Sequence, residues 1–220
     1  PEVLKENRLA NKVLFTYVCK NCNHVSSQVF SGPNILCPQC LQRSKVFPSV
    51  SSGISTEQLS TIYNTFNLYV QYAICEGFGM PQVEAAACGI PVATVNYSAM
   101  CDVIKKLKAY PIKVQSPFKE LETRAVRVYP DNDDLISTIN KVLNLPQSMV
   151  DKKRQKIREL TEKFYDWDII AKKWEKYLDS LSEKHYKSDW SKVPELQKVD
   201  KVGEIDISEN IDQMILMCHK

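Results

Sequence analysis

Two spacings of apolar residues alternate along this chain. Val13 to Val18 (VLFTYV), Asn67 to Ile74 (NLYVQYAI) and Ile90 to Val95 (IPVATV) are short β-branched and aromatic runs of strand length, and residues 112–115 and 124–129 (RAVRVY) read as two further strands. Between them the spacing is helical. Ser55, with Gln58 three positions later, opens a helix that runs to Thr65, and Ser98 is placed to cap another that runs toward Lys108. Asp131 to Asp134 cap a helix with Leu135, Ile136, Ile139, Val142 and Leu143 on one face. Asp151 to Leu181 is helical and highly charged, its apolar stripe (Ile157, Leu160, Phe164, then Ile170, Trp174, Tyr177, Leu181) broken near Tyr165 and Asp166. Residues 183–206 are polar, and Ser208 is a candidate cap for a last short helix carrying Ile211, Met214, Ile215 and Cys218.

The stretch from Cys75 to Val92, CEGFGMPQVEAAACGIPV, joins two of these strands. Gly77 and Gly79 allow a tight turn after the first strand, which is expected to stop near Glu76. Pro81 suits the first turn of a helix, and Gly89 suits its left-handed end. The product is a βαβ unit whose turn offers free N–H groups at a helix N-terminus, a place that attracts anions and hydroxyl oxygens. Glu76 lies at the carboxyl end of the strand, where ligands of open α/β sheets bind, and Glu84 is expected on the helix's first turn, so that both can face one crevice. From spacing alone the plainer reading is a dipole-complementing Glu84 and a solvated Glu76. The lone Gly-x-Gly completes no dinucleotide fingerprint.

EGFGMPQVEAAACGIPV closely resembles the Glu-x7-Glu segment of the retaining, nucleotide-sugar-dependent glycosyltransferases of the GT-B fold, family four in particular. The resemblance extends upstream through LSTIYNTFNLYVQ and downstream to FYDWDIIAKKW, covering most of residues 46–181. It implies that Glu76 lies beside the donor sugar and that Gly77, Phe78, Gly79 and Met80 offer backbone N–H groups to sugar hydroxyls. Glu84 would bind the ribose hydroxyls of the nucleotide. The loop from Pro48 to Ser55 would pass the nucleotide base at its start. Relatives usually carry an acidic residue where Asn67 stands, and a glycine pair with a glutamate where Tyr97, Ser98, Ala99 and Asp102 stand. No match is found for the basic pair that neutralises the donor diphosphate; Arg8 and Lys12 are the only early candidates, and neither follows a glycine-rich strand end. A GT-B enzyme needs two Rossmann-like domains with the active site between them. The chain, starting at Pro1, is therefore expected to be the C-terminal, donor-binding half, with the N-terminal domain and the basic pair lying before it.

Composition narrows the class. With 220 residues, 44% hydrophobic and 25% charged, the chain can bury one sizeable core plus a small module. Its 29 Lys+Arg against 26 Asp+Glu give a formal charge of +3, too little to argue for nucleic acid or an anionic membrane as partner. No apolar run approaches the ~18 residues of a membrane helix and no signal peptide opens the sequence, so no integral membrane segment and a cytoplasmic location are expected.

Cys19, Cys22, Cys37 and Cys40 are spaced C-x2-C-x14-C-x2-C. Two such pairs form knuckles that point four thiolates at one centre, the tetrahedral arrangement of a closed structural zinc site. The alternatives are two disulfides, disfavoured because nothing suggests export, and four independent buried cysteines, for which the paired spacing would be a coincidence. His24 is a possible substitute ligand, but with four cysteines it reads as a knuckle-loop residue. Four thiolates and a divalent ion would move the formal charge from +3 to +1. Around this ribbon only Lys20, Arg43 and Lys45 are basic and Phe30 reads as an isolated aromatic, so neither a basic stripe nor a stacking platform for nucleic acid is expected. Cys75, Cys88, Cys101 and Cys218 have no metal spacing.

The expected fold is α/β. A truncated start of a Rossmann-like domain (1–16) is followed by an inserted zinc ribbon (17–45), a Rossmann-like parallel-sheet domain that binds the nucleotide sugar (46–182) and a C-terminal tail with a short helix (183–220). The reaction the resemblance implies is glycosyl transfer from a nucleotide diphosphate sugar to an acceptor hydroxyl with retained configuration and no metal at the chemistry, the fragment alone being inactive. The alternative is an inactive GT-B-like scaffold that uses its ribbon for assembly.

Overall fold

A computed structural model describes residues 2–49 and 53–181. The chain divides into two units, Pro1–Leu178 and Asp179–Lys220. Among the described residues, every helix and strand lies in the first unit except the final residue of the last helix.

After a short helix α1 (Glu2–Glu6) come β1 (Leu14–Cys19), β2 (Val25–Val29), β3 (Ile35–Leu36) and β4 (Arg43–Val46). They form one antiparallel sheet in the order β2-β1-β4-β3. The strand expected over Val13–Val18 is thus not the start of a Rossmann-like domain. Thr16 sits opposite Ser27 and Val18 opposite Val46, so the ribbon takes in Leu14 to Val46 rather than 17–45. Phe30 is not isolated either. It lies just past β2, and the sheet brings it against Phe15 (ring centroids 5.4 Å apart) and Phe47 (5.9 Å), with Tyr17 4.7 Å from Phe47. Lys45 is buried, its ammonium donating to Ser26 Oγ and, at 3.2 Å, to Gln28 Oε1, so it adds nothing to the basic surface.

The second half begins with α2 (Thr56–Asn64), whose capping box is formed as the sequence predicts. Gln58 N donates to Ser55 Oγ at 3.2 Å and Ser55 N to Gln58 Oε1 at 3.0 Å. Next come β5 (Tyr69–Gln71), α3 (Met80–Ala87), β6 (Val92–Val95), α4 (Met100–Leu107) and β7 (Tyr110–Ile112). The three strands are parallel in the order β5-β6-β7, Val70 opposite Ala93 and Ala93 opposite Tyr110. The first strand is shorter than the run Asn67–Ile74. Its later residues turn to a different partner, Tyr72 Oη donating to Pro130 O at 3.1 Å and Ile74 O accepting from Val128 N at 3.3 Å.

The strands expected at 112–115 and 124–129 do not extend this sheet. β8 (Val114–Lys119) and β9 (Val126–Pro130) pair antiparallel as a separate hairpin. The reason is the connection. Only Glu120–Ala125 lie between them, with Arg124 left-handed, whereas a parallel crossover needs about a dozen residues. α5 (Asn132–Leu143) comes after the hairpin, capped by Asp131, whose Oδ1 accepts from Asp133 N and Asp134 N at 3.0 Å. α6 (Gln147–Tyr165) and α7 (Trp167–Asp179) break where the stripe breaks, Asp166 taking extended backbone and accepting from Ile169 N at 3.1 Å. The helix expected after Ser208 lies outside the described residues.

β6 is buried along its whole length because both of its faces are covered. Val92 packs with Tyr63, Ala85, Val103, Leu107 and Ile157, which come from α2, α3, α4 and α6. Ala93 and Val95 pack with Met100, Ile112 and Val128 on the other side. Gly89 ends α3 with φ +76° and a Cβ there would lie 3.2 Å from the Arg154 carbonyl, so the close approach of α6 and the left-handed turn both require glycine.

Candidate functional site

The sequence from β5 to α3 folds into a turn at the carboxyl edge of the parallel sheet. Gly79 is its pivot, the left-handed N-cap of α3 with φ +78°. A Cβ at Gly79 would meet Gln82 Nε2 at 2.3 Å, because the buried Gln82 side chain folds back to donate to Phe78 O at 3.0 Å. Gly77 has open space around it. Among the described residues the N–H groups of Gly77, Phe78, Gly79 and Met80 donate to no backbone carbonyl. Phe78 and Met80 are half exposed, Phe78 packing edge-on against Tyr165 with centroids 5.8 Å apart. The turn thus presents unspent donors at a helix N-terminus, as the sequence predicts.

The two carboxylates stand on either side of this turn. Glu84 is the fifth residue of α3, on its second turn rather than its first, because the helix opens at Met80. Glu84 Oε2 accepts from Tyr63 Oη at 3.0 Å. Glu76 Oε1 accepts from Gln71 Nε2 at 2.7 Å, and Gln71 Oε1 accepts from Tyr69 Oη at 2.8 Å. Tyr63 and Tyr69 pack edge to face, 6.0 Å between centroids. Burial pushes both phenols above their ordinary value; the Glu84 carboxylate adds to this at Tyr63, and the charges of both Glu76 and Glu84 add to it at Tyr69. Hydrogen bonds and the ring contact thus link Glu76 to Glu84 through Gln71, Tyr69 and Tyr63.

A second loop pins the turn from beyond β6. Ser98 is not the cap of α4, whose N-cap is Ala99 with no side-chain hydrogen bond. Its backbone is left-handed (φ 54°), and its hydroxyl donates to Glu76 O at 2.9 Å while accepting from Cys75 Sγ at 3.5 Å. The Ser98 hydrogen bond and the nearby Arg127 guanidinium hold the Cys75 thiol below its usual range against the effect of burial. Arg127 is itself paired with Glu120 at 3.2 Å.

Sequence reading passed over Gln71 and read Ser98 as a helix cap. Tyr63 and Tyr69 pack in the core; the Tyr63 hydroxyl reaches Glu84, and the Tyr69 hydroxyl reaches Gln71, which holds Glu76. A usable signal was present: Gln71 is an amide inside an apolar strand, two positions from Tyr69 and so on the same face.

The cysteines of the ribbon converge. Cys19, Cys22, Cys37 and Cys40 place their sulfurs within 4.8 Å of one another, Cys19 to Cys40 at 3.5 Å and Cys22 to Cys37 at 3.6 Å. The two knuckles repeat one backbone pattern. Cys19 N donates to His24 O and Asn23 N to Cys19 O; Cys37 N donates to Gln42 O and Leu41 N to Cys37 O. Asn23 and Leu41, each four residues after the first cysteine of its pair, are left-handed. His24 is outside the four-sulfur group and its carbonyl serves the knuckle. The thiols are driven apart electrically. The Ser44 hydroxyl, 3.0 Å from Cys19 Sγ, brings Cys19 down to about 6. At Cys22 a backbone bond near His24 favours the thiolate but is outweighed by burial and the neighbouring sulfurs, leaving it at about 12. A cluster of this kind suits a cation, since ~2.3 Å metal–sulfur bonds in a tetrahedron put sulfurs ~3.8 Å apart.

The ribbon touches α2 through Gln58 Nε2, which donates to Asn23 O at 2.8 Å. Beside that bond lies a cleft of about 660 Å³ whose walls include Thr16, His24, Ser27, Gln39, Gln58 and Thr61. None of the residues of the Glu76 turn line it.

Among curated proteins none matches this chain. Among solved structures, a sucrose-phosphate synthase from Thermosynechococcus elongatus is similar over 58% of this chain and 28% of its own, at 22% identity and a TM-score of 0.46. The present chain thus spans less than a third of that protein's length. The family described as glycosyl transferases group 1 matches residues 49–164, from the loop before α2 to the end of α6, and encloses Glu76, the Gly77–Met80 turn and Glu84. The match covers more than half of the sequence, and the chain belongs to the glycosyl transferases group 1 family.

Proposed function

We propose that this chain is the donor-binding half of a GT-B glycosyltransferase that transfers a sugar from a nucleotide diphosphate to an acceptor hydroxyl with retention of configuration. The observation that carries the reading is the chain of contacts from Glu76 through Gln71, Tyr69 and Tyr63 to Glu84, beside a turn with unspent N–H groups. In this reading Gly77, Phe78, Gly79 and Met80 offer those N–H groups to the hydroxyls of the donor sugar, Glu76 stands next to that sugar, and Glu84 takes the ribose hydroxyls. Tyr63 holds Glu84 for that task. Glu84 is then committed to the nucleotide, so a two-carboxylate double displacement across one sugar is not the mechanism. Retention then results from attack on the face the nucleotide leaves, with the leaving phosphate taking the acceptor proton, or from Glu76 acting at the anomeric carbon. No metal is needed at this chemistry, where helix termini and basic side chains offset the diphosphate charge. In this reading the acceptor site belongs to the N-terminal domain, and the basic pair to the first strand–helix unit of the donor-binding domain.

The four cysteines are read as a closed structural zinc site, Cys19, Cys22, Cys37 and Cys40 supplying all four ligands. Its contribution would be to fold the ribbon. The test of the donor reading is a calorimetric and thermal-shift panel of UDP-, GDP- and ADP-sugars, with Glu84→Ala in parallel. One nucleotide should stabilise the protein selectively, and the variant should bind it at least tenfold more weakly, about 1.4 kcal/mol. Equal binding by the variant would remove Glu84 from the site; no response to any donor would favour an inactive scaffold.

A further inference from the structure

Gln71 belongs to neither the turn nor the helix, yet its side chain is the one that touches the Glu76 carboxylate. Its place is set by β5. Tyr69 and Gln71 are two apart on a strand, so their side chains leave the same face, and the short strand ends just where Gln71 can reach forward to Glu76. The direction of every proton is then fixed. An ionised carboxylate only accepts, so the amide must turn Nε2 toward Glu76 Oε1, 2.7 Å away. That turns Oε1 toward Tyr69, and the phenol must donate, at 2.8 Å. Each partner has one role available to it.

We propose that Gln71 is the positioning residue for Glu76, with Tyr69 holding the Gln71 amide in the one orientation that donates to the carboxylate. The proposal rests on the reading of Glu76 as the group beside the donor sugar and adds how that group is aimed. Three constraints act on Glu76. Gln71 holds its carboxylate, Ser98 holds its carbonyl, and the turn below it is closed by the Gln82-to-Phe78 bond. The first alone acts on the reacting end. A carboxylate on a glycine-rich turn has free torsions that would otherwise scatter its position, and misplacement of a reacting group by ~1 Å costs about 10²-fold in rate. Other charged or titratable groups around the turn are Cys75 with Arg127 behind it, Tyr69, Glu84 with Tyr63, and Tyr165 against Phe78 with Lys106 over its ring. The raised phenol of Tyr69 agrees with this arrangement, because burial, with the charges of Glu76 and Glu84 added, keeps its proton in place as a donor.

Two measurements test this, the first on this chain and the second on the two-domain enzyme of which it is read as the donor-binding half. The first is independent of any donor. In ¹⁵N-resolved NMR the Gln71 side-chain amide protons should lie apart from those of exposed glutamines, as hydrogen bonding to a carboxylate requires, and should move in Glu76→Gln. A Gln71 signal like that of an exposed glutamine, or one unchanged in Glu76→Gln, would overturn the proposal. The second uses turnover of UDP-glucose, GDP-mannose and ADP-glucose. Gln71→Glu is nearly isosteric but sets two carboxyls side by side, which cannot both ionise. It should lower kcat at least tenfold with KM within threefold, and move the acid limb of the pH profile upward. Tyr69→Phe, which keeps the ring, should lower kcat two- to fivefold. A Gln71→Glu protein as active as wild type across pH would sink the proposal even if Glu76→Gln were inactive. If Glu76→Gln were itself fully active, the reading of Glu76 would fall, while the Gln71 amide signal would still decide whether Gln71 holds it.

Discussion

The two halves of this chain solve the same problem, holding a few short strands together, by opposite means. In the parallel unit β6 is buried from Val92 to Val95 and is covered on both faces by residues from α2, α3, α4, α6 and the β8–β9 hairpin. In the ribbon the sheet has four strands, but its fully buried side chains come down to Tyr17, Val18, Cys19, Cys37 and Lys45. A core of that size cannot offset the entropy of ordering about thirty residues, at ~1–2 kcal/mol of backbone alone for each. The sulfurs of Cys19, Cys22, Cys37 and Cys40 stand where a core would stand. The comparison teaches that the parallel sheet has a two-sided core where the ribbon has only a small one, and that the two meet where the Gln58 amide joins the capping box of α2 to the first knuckle.

The largest effect should come from the cation site. Chelation, or Cys37→Ser, should abolish the protection of amides from Leu14 to Val46 while those of β5, β6 and β7 stay protected, as followed by hydrogen exchange alongside metal analysis. Binding free energies of about 10–16 kcal/mol for zinc in such sites make this an all-or-none loss. A protein purified without metal under reducing conditions, its ribbon amides still protected, would break the contrast and with it the zinc assignment.

A smaller effect separates two glycines of the turn. Gly79→Ala puts a Cβ at a left-handed position and into the Gln82 amide, and should cost about 2–3 kcal/mol by denaturant unfolding, from ~1–2 for the left-handed backbone plus the displaced hydrogen bond. Gly77→Ala, in open space, should stay within about 0.5 kcal/mol. Equal costs at the two positions would mean that Gly79 is not the pivot.

The smallest expected effect lies where the two halves touch. Ser55→Ala removes one half of the capping box and should cost about 1 kcal/mol. Gln58→Ala removes the other half together with the bond to Asn23, and should cost more than Ser55→Ala only while the ribbon is folded. Repeating both unfolding measurements after chelation sharpens the comparison: the difference should disappear.

Much of this was legible in the sequence because it depends on neighbours along the chain. Gly79 and Gly89 mark the ends of α3, Ser55 and Gln58 cap α2, Asp131 caps α5, and the cysteine spacing gives two knuckles, since turns, caps and knuckles are built within a few residues. Pairing is different. Whether Val13–Val18 joins the ribbon or the parallel sheet, and whether 124–129 extends that sheet or closes a hairpin, depends on partners far away in sequence, and strand periodicity is the same in either case. Ser98 looked like a helix cap because that is its commonest local use; only the fold shows that the Glu76 carbonyl lies within reach of its hydroxyl.

What the sequence by itself determined is the βαβ turn, the positions of Glu76 and Glu84 on it, and the four-cysteine spacing, all consequences of local backbone preference and short separations. The tertiary structure alone decided that Tyr63 turns its hydroxyl toward Glu84 and Tyr69 toward Gln71, that Gln71 takes the Glu76 carboxylate, and that Gln58 ties the ribbon to α2. Those are hydrogen bonds between elements, and their existence depends on how helix and strand are packed rather than on which residues adjoin.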